Sequence, residues 1–385
     1  MLPLFQVREL FPLVHRCIYL NNASQAPIAT PTRAAIETAA AELNQIGPPL
    51  DWTATLGALE ASRQRIADLV HAGSGIDIAF VKNTSEGLAT VAQGLDWRSG
   101  DRVVSFACEF PANLYPWLEL RSRGVQVELL PEAALANPDR IRAACRGAKL
   151  LTVSFVQFLS GFRSDLDALG AVCRETGTWF VVDGIQGLGA FPVDVQRAGI
   201  HALAADGHKW LTAPEGAGLL YIAPEMLEHL RPPEIGWLSV AAWDDLTASH
   251  RSALAGELIW RAGAARLECG TLNMIGIAGL DAAVNLLQQV GVDAIAAHVL
   301  TLGEQLRSGL LAQGCELLRP ADPQSRRSGI TSFRHPGVPA ETLVSRLGEA
   351  KIICANRDGW VRCSPHLYNN AEDISSLLAI VQGVQ

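Results

Sequence analysis

Two short polar segments carry the residue types that could do chemistry in this chain. Asp183-Gly-Ile-Gln186-Gly follows an apolar run over 179–182, and Asp206-Gly-His-Lys209 follows the next apolar run. Polar residues that directly follow the strands of an open parallel sheet meet at one edge of the sheet, where ligands bind. We therefore expect the Asp183 carboxylate and the Lys209 amine to face the same site.

Seven short apolar or β-branched runs alternate with helical patterns from about residue 76 onward. This alternation predicts a parallel sheet with helices on both faces. Helical spacing is clear over 112–123 and 165–175, and Gly124 and Gly177 stand where these helices should end. The predicted strands cover 76–81, 101–106, 125–130, 150–153, 179–182, 201–205 and 218–222.

The pattern changes after residue 272 to longer helices over 275–290 and 292–313, followed by strand-like runs near 329–334 and 351–355. We therefore predict an α/β protein with a large domain over 15–272, which contains a seven-stranded, mainly parallel sheet. A smaller C-terminal α+β domain covers 273–385. The length of 385 residues suits two domains. The N-terminal arm, 1–14, is expected to pack on the smaller domain.

An acid and a lysine at one sheet edge are what pyridoxal 5'-phosphate (PLP) requires. The acid keeps the pyridine nitrogen protonated, and the amine forms a Schiff base with the aldehyde. Each residue alone is weak evidence, because an aspartate after a strand is more often a cap and a lone lysine is usually a solvated charge. Their joint placement favours PLP and makes Asp183 and Lys209 the candidate catalytic residues.

The segment Asn83-Thr84-Ser85-Glu86-Gly87 could hold the phosphate of such a cofactor. It follows the predicted strand over 76–81 and opens a helical pattern, so backbone N–H groups and short hydroxyl side chains converge there. The same residues also make a helix cap, and the two roles are compatible.

Phe110 is the only aromatic residue directly at this edge after the strand over 101–106. It could stack on the pyridine, although core packing is the preferred explanation when Phe110 is taken alone.

Composition argues against several other classes of protein. The apolar runs are strand-length, well short of the roughly 20 residues of a membrane helix. The formal net charge is −8 with scattered basic residues, so we expect no nucleic-acid partner and no membrane. Eight cysteines without CxxC pairs or metal-ligand spacing predict reduced thiols, no metal and a cytoplasmic location. The N-terminus lacks the features of a signal peptide.

Three segments resemble the class V aminotransferase family of fold-type I PLP-dependent transferases. They are Val182-Asp183-Gly-Ile-Gln186, Gly207-His208-Lys209 and Glu268-Cys-Gly270-Thr271-Leu-Asn273. The resemblance covers nearly the whole chain, from Tyr19 to the segment that begins at Arg362. The family includes cysteine desulfurases, selenocysteine lyases, kynureninases and isopenicillin N epimerase-like proteins. It implies the fold-type I architecture and PLP as the cofactor.

The resemblance also implies a role for each matching residue. Lys209 is the Schiff-base lysine and proton carrier, Asp183 contacts the pyridine nitrogen, and Gln186 contacts the phenolic oxygen. The phosphate is held by Thr84, Ser85 and His208, and Phe110 stacks on the ring.

On the substrate side, the resemblance implies that Arg362 grips the carboxylate of a small amino acid, a task that suits the planar guanidinium. A surface ion pair is the alternative role of Arg362. Asn22 is a further candidate for substrate binding. Gly270 and Thr271 match a segment that reaches the phosphate of the neighbouring subunit in relatives, so we expect a homodimer with shared sites.

The chain departs from the desulfurase pattern at three places. Asp206 stands where desulfurases have serine, and we expect its side chain to point away from the phosphate. Phe110 replaces a stacking histidine and cannot relay protons. The loop that bears a catalytic cysteine is missing, since 356–360 leads directly into Val361-Arg362. Cys354 and Cys363 flank this stretch in strand-like contexts and are interpreted as packing thiols.

These residues favour a class V aminotransferase as the first hypothesis. A PLP-dependent lyase that acts by β-elimination at C–S or other bonds, or an amino-acid epimerase or racemase, is the alternative among enzymes. A catalytically silent PLP-binding protein is disfavoured, because it would not need Lys209, Asp183 and Arg362 together. A nucleotide-dependent oxidoreductase would need a GxGxxG motif after the first strand, and 83–87 does not provide one.

Overall fold

A seven-stranded sheet forms the centre of the fold. The computed structural model describes residues 2–47, 53–241, 245–256 and 258–383. The strands of the sheet lie in the order β2-β8-β7-β6-β5-β3-β4, and only β8 runs antiparallel to its two neighbours. Their bounds are β2 (Ile78–Val81), β3 (Arg102–Phe106), β4 (Gln126–Leu130), β5 (Leu150–Ser154), β6 (Trp179–Asp183), β7 (Ala202–Asp206) and β8 (Gly218–Ile222).

The structure confirms the seven predicted strands and the mainly parallel sheet, with shifts of one or two residues at the ends. The largest shift is at β2, which begins at Ile78 rather than at residue 76. Gly75–Asp77 forms a short 3-10 helix there, and the Ser74 hydroxyl caps it by accepting the Ile76 N–H. The apolar run therefore starts inside this turn and not inside the strand.

Fourteen α-helices lie within the described ranges. The predicted ends at Gly124 and Gly177 are confirmed, since both residues have the left-handed backbone that ends a helix. The helices are α1 (Leu4–Arg8), α2 (Thr30–Gln45), α3 (Thr53–Val70), α4 (Thr84–Gly94), α5 (Tyr115–Glu119), α6 (Pro138–Cys145), α7 (Leu166–Thr176), α8 (Val195–Ala198), α9 (Pro224–Leu227), α10 (Leu246–Leu254), α11 (Met274–Val290), α12 (Val292–Ala312), α13 (Ala340–Glu349) and α14 (Ala371–Gly383).

The prediction of one helix over 112–123 was wrong. The stretch is divided into a 3-10 turn over Pro111–Asn113, the short helix α5, and a second 3-10 turn over Leu120–Arg123. Pro116 has no N–H to donate into a preceding turn, so a continuous helix cannot pass through it.

Apolar side chains cover both faces of the large sheet. Along β6, Phe180 and Val182 pack into one core cluster with α7 and α11, whereas Val181 packs into another cluster with α4. This alternation is what a strand with helices on both sides requires. The prediction of helices on both faces is thereby confirmed.

Two smaller sheets are formed by five strands that follow α12 and by β1 near the N-terminus. The four-stranded antiparallel sheet has the order β12-β13-β10-β9, and β1 pairs in parallel with β11. The single strand-like run predicted over 351–355 is divided between these two sheets at Cys354. The bounds are β1 (Ile18–Tyr19), β9 (Glu316–Leu317), β10 (Thr331–Arg334), β11 (Ile352–Ile353), β12 (Ala355–Arg357) and β13 (Trp360–Cys363).

The N-terminal arm contacts two parts of the chain. Val7 and Phe11 are fully buried in the core cluster that also contains residues of α11. Arg8 forms an ion pair with Asp373 of α14 at 2.8 Å and also donates to the Tyr368 carbonyl. The division into domains at residue 272 stays a prediction.

Within the described ranges, no single helix combines the length and hydropathy of a membrane span. Only α11 and α12 taken together reach them, and these two helices meet at a bend of 79°.

A buried ion pair fixes the segment before Gly270. Glu268 accepts two hydrogen bonds from Arg63, at 2.6 and 2.7 Å, and a third from the Phe80 N–H at 2.9 Å. Both charged side chains are almost entirely inaccessible to solvent. Each charge therefore depends on the other for compensation.

We predict that Glu268→Ala lowers the free energy of unfolding by about 3 kcal/mol, because it leaves the Arg63 guanidinium buried with one exposed partner, Glu60. The control is Glu37→Ala, which removes an exposed pair with Arg33 and should cost at most about 1 kcal/mol. Urea titrations of the two variants and the parent give the comparison. Equal losses in both variants would contradict the prediction.

Candidate active site

The carboxyl ends of the parallel strands border a cavity of about 420 Å³. Asp183 ends β6, Asp206 ends β7, and α4 begins just after β2. The second sheet closes the opposite side through Arg357 and Arg362. Eight of the residues predicted from the sequence lie in the wall of this one cavity: Thr84, Ser85, Phe110, Asp183, Gln186, His208, Lys209 and Arg362.

One oxygen of Asp183 has no partner. Asp183 is 1% exposed, and its Oδ1 accepts the Ile185 N–H at 3.0 Å, while the buried Oδ2 receives no hydrogen bond. Burial, reinforced by the negative charge of Glu109, raises the Asp183 pKa to about 7 despite the Ile185 bond. A protonated pyridine nitrogen would supply the missing donor and a compensating charge. This part of the site therefore fits PLP.

The Lys209 amine faces the same cavity. Burial lowers its pKa to about 8, the attraction of Asp183 opposes that shift, and repulsion from Arg362 and Arg357 adds to it. A larger fraction of the amine is therefore neutral at neutral pH than for an exposed lysine. Only the neutral amine can attack an aldehyde or accept a proton.

Gly207 lets the segment between β7 and Lys209 pack closely against its neighbours. A Cβ at this position would lie 2.6 Å from the Ala217 carbonyl oxygen and 2.7 Å from the Ala213 Cβ. Both neighbours are fixed in the packed core, so any larger residue would displace the segment that presents Lys209.

The N-terminus of α4 forms a seat for an anion. Asn83 caps the helix by accepting the Glu86 N–H at 2.9 Å, which leaves the N–H groups of Thr84 and Ser85 without a partner inside the helix, at the edge of the cavity. Thr84 Oγ1 accepts the Asp206 N–H at 3.0 Å, so its own hydroxyl hydrogen remains available to another acceptor. Ser85 is exposed beside it. These groups fit a phosphate.

Close packing brings this helix end against the sheet. A Cβ on Gly87 would lie 2.8 Å from the Ala204 Cβ of β7. Glycine at this position thus permits the approach of α4 to the strand that precedes Lys209.

Asp206 lies in the cavity wall, but its carboxylate has local partners. Oδ1 accepts the Gly207 N–H at 2.7 Å, and Oδ2 lies 2.8 Å from His208 Nδ1. The Asp206 carboxylate is therefore turned toward the Gly207 backbone and the His208 ring beside the phosphate seat.

Gln186 is held in one orientation by two neighbours. Its Oε1 accepts the Trp210 indole N–H at 2.8 Å, and its Nε2 donates to the Ala23 carbonyl at 2.9 Å. The amide has a second hydrogen on Nε2. That hydrogen is the group that could reach a phenolic oxygen.

Phe110 forms an apolar wall with a residue that the sequence did not suggest. Its ring is 42% exposed and lies edge-on to Phe158, with 5.3 Å between the ring centroids. The Lys209 Nζ is 5.5 Å from the Phe110 centroid. The ring therefore stands over the space in front of the lysine, as a stacking role requires.

Arg362 extends from β13 into the cavity. Its Nη1 donates to the Phe158 carbonyl and its Nη2 to Ser24 Oγ, each at 2.7 Å, while the buried Nε has no partner. Burial, with repulsion from Arg357, lowers its pKa to about 10. The side chain faces no carboxylate within 4 Å among the described residues, so it is not the surface ion pair that was the alternative.

Three residues that were predicted to belong to the site do not line this cavity within the same chain. Asn22 is fully buried, and its Oδ1 accepts a hydrogen bond from the Tyr368 hydroxyl at 3.0 Å. Ser24, two residues further along, lines the cavity in its place. Gly270 and Thr271 border a separate pocket of about 190 Å³. Their contact with the phosphate of a neighbouring subunit stays a prediction.

Sequence reasoning missed the network around Glu109. This buried carboxylate accepts hydrogen bonds from the Asn113 amide at 2.9 Å, the Gln157 amide at 2.8 Å, and both the N–H and the hydroxyl of Ser154. Ser154 pairs with Asp183 in the sheet. Glu109 thus ties the loop that carries Phe110 to the strand beside Asp183. The adjacency of Glu109 to Phe110 was the only signal in the sequence.

No cysteine is among the described residues that line the cavity. Cys354 and Cys363 are buried, contact each other, and belong to the core of the second sheet. The contact with Cys354, together with burial, raises the Cys363 pKa, which keeps the thiol protonated and poorly nucleophilic.

Comparisons with known proteins agree with this geometry. The family model described as aminotransferase class-V matches residues 19–377. A probable cysteine desulfurase of Methanothermobacter thermautotrophicus is 30% identical over 96% of this chain and 95% of its own length. An apo cysteine desulfurase structure from Thermococcus onnurineus superimposes with a TM-score of 0.89 at 25% identity, covering 100% of this chain and 98% of the other.

The cystine C-S lyase C-DES is a further structural neighbour. A C-DES mutant with glycine covalently linked to the PLP cofactor superimposes with a TM-score of 0.87 at 25% identity, over 97% of this chain and 98% of the other. A second C-DES structure holds the reaction product cysteine persulfide. The family match, together with the unpartnered Asp183 oxygen facing Lys209, identifies this chain as a PLP-dependent enzyme that belongs to the class V aminotransferase family.

Proposed function

We propose that this enzyme transfers the amino group of a small amino acid, with β-elimination at a C–S bond as the second candidate. The observation that carries the proposal is the joint presence of three groups in one cavity: the unpartnered Asp183 Oδ2, the partly neutral Lys209 amine and the buried Arg362 guanidinium. Each is matched to one part of an amino-acid reaction on PLP.

PLP, when bound, withdraws electrons from the substrate Cα through its protonated ring. Asp183 would hold the ring proton, because its free oxygen is buried where only such a donor satisfies it. Arg362 would fix the α-carboxylate through a bidentate, charge-assisted pair. Lys209 would remove the Cα proton and return it elsewhere, a task that an amine with a pKa near 8 can perform in both directions.

Transfer to a protein thiol is disfavoured within this cavity. A desulfurase that passes sulfur to its own cysteine needs that thiol beside the substrate, and the described lining residues include none. The relatives named cysteine desulfurase and cystine C-S lyase nonetheless support β-elimination as the second candidate, since elimination itself needs only a proton carrier.

Product analysis separates the candidates. The holoenzyme is incubated with a panel of amino acids, with and without keto acids, and the products are identified by mass spectrometry. A keto acid with pyridoxamine phosphate indicates transamination, whereas ammonia with pyruvate indicates β-elimination. Inversion at Cα without either product indicates an epimerase or racemase. If no amino acid in the panel is converted to a product, every enzymatic candidate is contradicted.

We predict that borohydride reduction of the holoprotein attaches the pyridoxyl group to Lys209 and not to Lys82, Lys149 or Lys351, as read by peptide mapping. The rate of PLP attachment to apoprotein should rise about tenfold per pH unit below pH 8 and level off above it, because only neutral Lys209 reacts. Lys209→Ala should lose the attachment, and Lys149→Arg, outside the cavity, should keep it. Label on another lysine would contradict the assignment.

We predict that Arg362→Ala retains PLP but weakens carboxylate binding by roughly two orders of magnitude, since a bidentate charge-assisted pair is lost. Arg362→Lys should recover only part of the affinity, because an ammonium cannot form the planar pair of bonds. Titration of the cofactor absorbance with an amino acid measures this, and an amine without a carboxylate is the control. Equal affinities in all three proteins would show that a group other than Arg362 binds the substrate carboxylate.

We predict that Cys354→Ala and Cys363→Ala each retain at least about half of the turnover, because both thiols are buried in core packing away from the cavity. Cofactor content and the unfolding midpoint verify that each variant is folded. A folded variant that retains PLP but no longer releases sulfur from cysteine would restore the desulfurase hypothesis.

A further inference from the structure

Two arginines meet at one small acceptor on the wall of the cavity. Ser24 Oγ accepts a hydrogen bond from Arg362 Nη2 at 2.7 Å and another from Arg357 Nη2 at 3.2 Å. The Ser24 hydroxyl itself donates to Asn21 Oδ1 at 2.7 Å. One neutral oxygen therefore separates two guanidinium groups whose charges repel each other.

Neither guanidinium has an acidic partner. In the parts of the chain that the structure describes, no carboxylate lies within 4 Å of Arg357 or Arg362. Of the two carboxylates in the cavity wall, Asp206 lies against His208 and Asp183 accepts the Ile185 N–H, and neither pairs with these arginines. The positive charge on this side of the cavity is thus available to a ligand.

The two arginines differ in depth. Arg362 is 2% exposed and bonded to the Phe158 carbonyl and to Ser24. Arg357 is exposed to solvent, and among the described residues its side chain donates a hydrogen bond to Ser24 alone. Because both guanidinium groups bond the same Ser24 oxygen, Arg357 lies beside the Arg362 site and on its solvent side. With an α-carboxylate on Arg362, Arg357 is the neighbouring cation that a second carboxylate on a short side chain could reach.

We propose that Arg357 is a specificity-determining residue that binds a second carboxylate, and that the preferred substrate is therefore a dicarboxylic amino acid. This inference rests on the proposed function, because it takes Arg362 as the α-carboxylate site. One carboxylate cannot satisfy both arginines as well as two can, since a bidentate pair uses both oxygens on a single guanidinium. A monocarboxylic substrate would leave Arg357 without an anion.

Binding of unreactive acids tests the proposal without turnover. Calorimetric titration of the holoenzyme compares succinate with butyrate, which share a four-carbon chain and differ by one carboxylate. Succinate should bind at least about tenfold more tightly, as expected for one added charge-assisted pair at a partly exposed site. Arg357→Gln should abolish this preference and leave butyrate affinity within about twofold. Arg362→Gln should weaken the binding of both acids.

Arg346→Gln is the matched control, because Arg346 is an exposed arginine of α13 outside the cavity wall. It should leave both affinities unchanged. Equal binding of succinate and butyrate by the parent protein would overturn the proposal. Equal weakening of both acids by Arg357→Gln would also overturn it, because both arginines would then hold the same carboxylate.

Turnover separates this inference from the proposed function. Rates with aspartate and glutamate are compared with rates with alanine in the parent and in Arg357→Gln. A selective loss with the two diacids supports the proposal. If no amino acid reacts, the proposed function fails while the succinate preference still tests Arg357. If alanine reacts as well as the diacids in both proteins, the function stands and the inference fails.

Discussion

The Asp183 carboxylate is buried with one oxygen that receives no hydrogen bond. This burial costs free energy, and the arrangement of the rest of the site follows from how that cost is offset. An unsatisfied buried acceptor costs about 1–3 kcal/mol, and more when it is charged. The Ile185 N–H satisfies only the other oxygen. The raised pKa of Asp183 shows that the protein alone does not stabilise its charge well. A cationic donor bound in the cavity would provide that stabilisation, so binding and the ionisation of Asp183 are linked.

Three distant parts of the chain must converge for this arrangement to act on a substrate. The large sheet supplies Asp183 and Lys209, the second sheet supplies Arg362, and the N-terminal segment supplies Ser24. A parallel bridge between Asn21 and Ser364, next to the β1–β11 pair, joins the N-terminal segment to the strand of Arg362. The position of the carboxylate site relative to Lys209 therefore depends on long-range pairing rather than on any one local motif.

The large sheet and the groups at its edge could be predicted from the sequence, because buried strands read as apolar runs and ligand groups follow them directly. This logic identified Asp183, Lys209, Thr84 and Phe110. Ser24 escaped it because it follows β1, outside the large sheet. Phe158 follows β5 at the same distance as Phe110 follows β3, but an aromatic residue after an apolar run cannot be told from core packing without the contacts that place it in the cavity wall. The broken helix near Pro116 shows a similar limit of sequence reasoning, because the spacing of apolar residues gives no sign that a backbone N–H is missing.

The charges around Lys209 also suggest how its proton affinity changes during catalysis. Arg362 and Arg357 lower the pKa of the free amine, and Asp183 raises it. A carboxylate bound to Arg362 cancels part of that repulsion, so Lys209 becomes a stronger base once a substrate is seated. The freed amine is therefore most able to accept the Cα proton when the substrate carboxylate is already in place on Arg362. A second carboxylate bound to Arg357 would also raise the pKa of Lys209. Selection of the substrate would thus be coupled to the proton transfer that follows.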